Sequence, residues 1–300
     1  MGGQATIADV SSIEIPFKEV PDSVLFEAGA GLLNFIVPLY VLSQKPDRAD
    51  RPLLFIGSGT LVDVDGSLNI LTAGHVWHEA KDSAKLGLGL TTRHPSAFWV
   101  TRDNLMTVQV LWHGETSGPR SEWGPDLALV RLHRPEDAER IKARKSAVNL
   151  LRHRSEFLSE PLPSNRTCAI TGMVGEWTYT EVDHTQRTIS GTPRLQAFFG
   201  PSIPGRHERD GYDYVDVAVN SNLPDVPQSF GGVSGGGLWE IGLSKTRSRI
   251  ISWDGARRFR GVAFWQQPPT PDGRSMIRCH GPHSIFANAW QSWKLPATSS

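Results

Sequence analysis

The chain has 300 residues, 39% of them apolar and 21% charged, enough for one large domain or two packed subdomains. Lys plus Arg and Asp plus Glu both number 31, so the formal net charge is zero. A nucleic-acid partner, which calls for a basic surface, is therefore not expected, and neither is a membrane partner, because no apolar run approaches the ~18 residues of a spanning helix.

The first 16 residues lack the basic start and apolar core of a signal peptide, which points to a cytoplasmic location. A short helix is expected over 24–34, closing an N-terminal extension of residues 1–34. Strands follow at 34–42 and 53–64. Asp65-Gly66 signals a tight hairpin turn into a returning strand at 68–72, because both central positions of such a turn need φ above zero. Further strands are expected at 97–101, 106–113 and 126–132, which completes a first β unit over 35–134. Pro135-Glu136-Asp137 opens a helix running to about residue 151, with proline and acids suited to its exposed N–H groups. The polar remainder of 135–164 reads as a linker.

A second β unit over 165–282 carries expected strands at 167–173, 176–183, 187–191, 194–199, 215–219, 237–241, 249–254 and 261–266. A C-terminal helix and tail fill 283–300, with Ser284 as cap and Ile285, Phe286, Ala289, Trp290 and Trp293 on one side. Many short strands in two blocks define an all-β chain of two units. The two cysteines, Cys168 and Cys279, can pair or remain reduced, and a chain of this size needs no bridge.

Three segments carry residue types suited to chemistry. Ser234 lies in Gly231-Gly232-Val233-Ser234-Gly235-Gly236-Gly237, where glycines permit a tight turn that projects a hydroxyl and turns N–H groups towards a developing oxyanion. By itself this is also an ordinary glycine-rich loop. His75 leaves a strand in Leu71-Thr72-Ala73-Gly74-His75, and His78 follows it without the companions of a metal site, so no metal and no cofactor are expected. Asp126 opens the apolar strand Asp126-Leu127-Ala128-Leu129-Val130, where a buried carboxylate needs a partner such as an imidazole N–H.

Thr-Ala-Gly-His, Asp-Leu-Ala-Leu-Val and Gly-x-Ser-Gly-Gly occur in that order, the first two in the first β unit and the serine in the second. Together they resemble the chymotrypsin-like serine proteases, over roughly residues 35–295. The resemblance implies two packed six-stranded Greek-key β-barrels with a helical linker and a C-terminal helix. It implies Ser234 as nucleophile, His75 as general base, Asp126 as the acid that orients it, and the N–H groups of Gly232 and Ser234 as oxyanion hole. It also implies a protein or peptide substrate.

Gly261-Val262-Ala263-Phe264-Trp265-Gln266 is similar to the strand that binds substrate backbone in that family. Trp265 matches, while Phe264 stands where serine is usual and Gln266 where glycine is frequent. Gln228 falls at the expected pocket floor without charge, and Gly281 and His283 at its back, so small or uncharged side chains are the expected substrates. Val76 replaces a cysteine common in secreted members and no Ile-Val-Gly-Gly activation sequence is present, which suits bacterial intracellular members controlled by a conformational change or a regulatory partner. Two alternatives stay open: a catalytically silent pseudoprotease acting as a binding module, and an esterase on another fold. The esterase fits poorly, since α/β-hydrolases order their triad Ser, Asp, His and need helix–strand alternation.

Overall fold

The computed structural model describes residues 15, 17–42, 53–91, 97–112, 114, 119–152, 154, 166–177, 179–183, 188–192, 195–200, 205–220, 222, 226–246, 250–271 and 273–288. The chain is mostly β, with two large antiparallel sheets, one of them a half-barrel. The first sheet takes its strands from β1 (Ile36–Leu42), β2 (Leu53–Val64), β3 (Ser67–Thr72), β4 (Lys85–Gly89), β5 (Ala97–Thr101), β6 (Leu105–Trp112), β7 (Asp126–Leu132) and β8 (Val148–Asn149). Its order is β5-β4-β1-β2-β3-β7-β6, and β8 adds to β2 in parallel. The second sheet is built from β9 (Arg166–Met173), β12 (Leu195–Gly200), β13 (Gly205–Arg209), β14 (Tyr212–Asn220), β15 (Gly237–Lys245), β16 (Ile251–Gln267) and β17 (Arg274–His280), in the order β12-β9-β15-β16-β17-β14-β13. A separate hairpin joins β10 (Tyr179–Asp183) to β11 (Thr188–Thr192). Against an expected six strands per unit, pairing among the described residues gives eight and seven.

Local chemistry explains several elements. Asp65 and Gly66 adopt φ of 53° and 77°, and the Gly66 N–H donates to the Asp63 carboxylate, so the β2–β3 turn forms where expected. Strand β7 is apolar on successive residues because both of its faces are covered. Leu127 and Leu129 join one core, and Ala128 and Val130 another. The helix at Pro135 is shorter than expected. It ends at Lys142, because Val148 and Asn149 pair with Val62 and Asp63 and the Leu150 N–H donates to the Asp63 carbonyl. The expected strands at 249–254 and 261–266 are one bulged strand, β16. Of the C-terminal helix, one turn over Ser284–Asn288 is described, while Ala289, Trp290 and Trp293 lie outside the described residues.

The first helix, α1 (Asp22–Leu32), leads into β1 but packs against β12 and β16 of the other sheet. The core it helps close is shared: Phe35, Ile36, Val62, Leu71 and Leu127 meet Trp239, Ile241 and Val262 in one buried cluster. Trp239 sits at its centre, with Phe35 at 5.1 Å and Phe259 at 5.2 Å between ring centroids, and its indole N–H donates to Thr171 Oγ1. Cys168 and Cys279 are both buried, and neither forms a disulfide. Burial and then the Glu240 charge push the Cys168 thiol up to about 12, far from a reactive thiolate. Among the described residues no helix is long and apolar enough to cross a membrane. Truncating Phe35 to Ala should lower unfolding free energy by about 3–4 kcal/mol, because the cavity opens between both sheets. Chemical denaturation reads this, and a loss under ~1 kcal/mol would mean that Phe35 does not join the two halves of this core.

Candidate active site

His75 is the second residue of a short helix, α2 (Gly74–Ala80), that begins directly after β3. Glycine precedes it for reasons of space, since a Cβ at position 74 would lie 2.6 Å from Trp112 Cβ and 3.1 Å from Asp126 Oδ1. Asp126 opens β7 opposite Trp112 and is only 6% exposed. Both its carboxylate oxygens are used by one residue: Oδ1 accepts the His75 backbone N–H at 2.9 Å, and Oδ2 lies 2.6 Å from His75 Nδ1. The hydrogen therefore belongs on Nδ1, which leaves Nε2 as the lone-pair nitrogen of the ring. Burial acts to lower the His75 pKa, but the hydrogen bond and charge of Asp126, with a smaller share from Glu79, outweigh it and raise the pKa above 6.5.

Ser234 is carried by the loop before β15, and the first sheet holds that loop in place. The Ser58 N–H donates to the Ser234 carbonyl at 2.9 Å, and Ser58 Oγ donates to the Gly232 carbonyl at 2.8 Å while accepting the Met173 N–H. Thr60 Oγ1 donates to the Gly235 carbonyl. Gly232 and Gly235 adopt φ of 95° and 89°, where side chains are strained, and a Cβ at 235 would collide with the Ser58 carbonyl and Thr72 Oγ1. From the other side, the Glu176 carboxylate accepts the N–H groups of Gln228 and Ser229, each at 3.0 Å.

The N–H groups along this loop are almost all engaged. Phe230 donates to Gln266 Oε1, Gly231 to Ser229 Oγ, Val233 to the Phe230 carbonyl, Gly235 to the Ala263 carbonyl and Gly236 to the Val233 carbonyl. Among the described residues, the N–H groups of Gly232 and Ser234 have no acceptor.

His75, Asp126 and Ser234 line one cavity of about 250 Å³, together with Ser121, Ser229, Phe230, Gly231, Val233, Ala263, Phe264, Trp265, Gln266 and Ile277. Among the described residues, no hydrogen bond joins the side chains of Ser234 and His75. Of the expected specificity residues, Phe264, Trp265 and Gln266 face this cavity. Gln228 and Gly281 do not. Gln228 is exposed and is held by its backbone, its N–H on Glu176 and its carbonyl 3.4 Å from Gln266 Nε2. Gly281 donates its N–H to the Asp213 carbonyl, and the Asp213 carboxylate occupies the space a side chain there would need. His283 is exposed and also bonds Asp213 through its N–H. Ile277 and Ser121 enter the wall from segments that carried no motif. Among the described residues no group of three or more His, Cys, Asp or Glu side chains could hold a metal ion.

Behind the His75–Asp126 pair lies His280, fully buried at the end of β17. Its Nε2 accepts the Asp126 N–H at 2.9 Å, and its ring stacks on Phe264 at 4.5 Å. Burial pushes its pKa down from 6.5 to about 4, against the opposing Asp126 and Asp213 charges. The chain matches no family model, and no curated protein matches it.

Between pH 6.5 and about 4, unfolded chains take up a proton at His280 that folded chains refuse. Stability is therefore present above 6.5 and lost as pH falls through this window, by about 3 kcal/mol from this group. Denaturation at stepped pH should show wild type losing more stability across the window than His280→Gln; equal losses would place the acid sensitivity elsewhere.

Proposed function

We propose that the chain is a serine hydrolase, with Ser234 as nucleophile, His75 as general base and then acid, and Asp126 as the group that fixes the His75 tautomer and stabilises its imidazolium. Within that class it is read as an endopeptidase acting through an acyl-enzyme, on the two-barrel plan of the chymotrypsin-like proteases. The observation that carries the reading is the loop that spends its N–H groups on protein acceptors except at Gly232 and Ser234, beside a cavity shared by Ser234 and a His–Asp pair. Two donors aimed at a developing oxyanion contribute about 3–4 kcal/mol each in such sites.

The proton follows a short route. Ser234 Oγ adds to the substrate carbonyl while His75 Nε2 takes its proton. The imidazolium formed is stabilised across 2.6 Å by Asp126, then passes the proton to the leaving amine. Water repeats the sequence to release the acid product. The substrate side chain meets a wall of Phe230, Val233, Ala263, Phe264 and Ile277. Asp126 is the one carboxylate among the described lining residues, and both its oxygens already bond His75, so a Lys or Arg side chain would meet no unengaged carboxylate here. Gln266 narrows the space, because its amide bridges to the Phe230 N–H, the Gln228 carbonyl and Ser275 Oγ. Small uncharged side chains fit it.

One observation favours a second reading. The missing Ser234–His75 hydrogen bond suits a silent module that binds peptides without turnover. A fluorophosphonate probe separates the two. Wild type should be labelled and Ser234→Ala and His75→Ala should not; an unlabelled, folded wild type would sink the hydrolase reading. Asp126→Asn should slow turnover by about 10⁴-fold, as tautomer loss does in such triads. Because the neutral base is required and the His75 pKa is raised, kcat/KM should fall with decreasing pH at a midpoint above 6.5. A peptide library should show cleavage after small residues, with the preference moving about tenfold towards large apolar ones in Gln266→Gly. A dominant Lys or Arg preference would refute the pocket assignment.

A further inference from the structure

His280 is an unusual choice for a buried site. It is fully buried among Phe264, Tyr214 and Tyr212, and no described group accepts from its Nδ1. Because Nε2 accepts the Asp126 N–H, the ring hydrogen must sit on Nδ1, where it is an orphan donor. A phenyl ring would fill the same volume, keep the stack on Phe264 and leave no orphan. What a phenyl cannot supply is the acceptor 2.9 Å from Asp126 N.

That acceptor acts on a residue with no slack. Both Asp126 carboxylate oxygens already hold His75, so the backbone N–H is a further handle on the aspartate beside its ladder pairing with Trp112. Asp126 is also the first residue of β7, where the strand ladder begins and the preceding Pro125 has no N–H to anchor the turn. A buried N–H that loses its acceptor moves to find another, and the carboxylate moves with it.

We propose that His280 is a positioning residue: as a neutral imidazole it accepts the Asp126 N–H and thereby sets the Asp126 carboxylate on His75. It touches no substrate and acts only through Asp126. The proposal rests on Asp126 being the acid that orients His75. Two carboxylates, Asp126 and Asp213, and the phenols of Tyr212 and Tyr214 are the titratable neighbours; burial keeps the ring neutral against both acids.

The test compares His280→Gln, whose amide oxygen can reach the Nε2 position, with His280→Phe, which keeps the ring and removes the acceptor. Two readouts are taken on the full chain: the fluorophosphonate labelling rate, and the His75 titration followed by NMR of its imidazole. Labelling in His280→Gln is expected within about threefold of wild type. In His280→Phe it should slow by about tenfold or more, and the His75 pKa should drop as its carboxylate partner is displaced. An unchanged His75 titration and wild-type labelling in a folded His280→Phe would overturn the proposal. If that variant does not fold, His280→Asn, whose amide is too short to reach, takes its place with the same expectations. If wild type itself resists labelling, the hydrolase reading fails, but the His75 titration still decides the role of His280.

Discussion

A carboxylate shut away from water must be given hydrogen-bond donors, and Asp126 shows how much structure that demand organises. At 6% exposure, its two oxygens require two donors, and both come from His75, one from the backbone and one from the ring. This pins α2 to the mouth of β7 and selects the imidazole tautomer. It also fixes which face of His75 looks into the cavity shared with Ser234. The lower wall of the site is thus set by electrostatic necessity, and the Ser234 loop has only to be brought up to it.

The second half of the site is set by a different kind of force. Ser58, Thr60 and Thr72 stand on first-sheet strands and reach across to the carbonyls of the Ser234 loop or of one another. Around them the shared core of Phe35, Leu71, Trp239 and Val262 holds the two sheets together. Apolar burial provides the attraction, and these buried hydroxyls fix the register. A buried hydroxyl without a partner costs about 1–3 kcal/mol, whereas one pair of carbon atoms in van der Waals contact gains only ~0.1–0.2 kcal/mol. A shifted register would strand the Ser58 and Thr60 hydroxyls together.

Local pattern carries a good part of this molecule. The bounds of β2, β5 and β7 agree with expectation, the Asp65-Gly66 turn forms, and the His, Asp and Ser segments meet at one cavity. What stays illegible depends on distant partners. No strand is expected over β17, since a charged Arg278 gives no local sign of burial, whereas it is buried by a two-bond pairing with Asp216 and by Trp123, whose ring centroid lies 3.7 Å from its guanidinium. Gln228 and Gly281 lie outside the lining of the cavity for the same reason. Position along the chain does not reveal that Glu176 and Asp213 capture their backbones. Ser58 carries no signal at all, being one serine between two glycines of a strand.

Ser58 also bears on how the chain can be divided. A single hydroxyl links the Gly232 carbonyl to the Met173 N–H, and the same residue's N–H holds the Ser234 carbonyl. The Ser234 loop is therefore shaped by a residue far upstream, before the chain passes from β8 to β9. Split there and expressed as separate fragments, the second half would contain the serine but not the template for its loop. The ordered loop would return only on reassembly, which makes its shape a reporter of the association of the two halves.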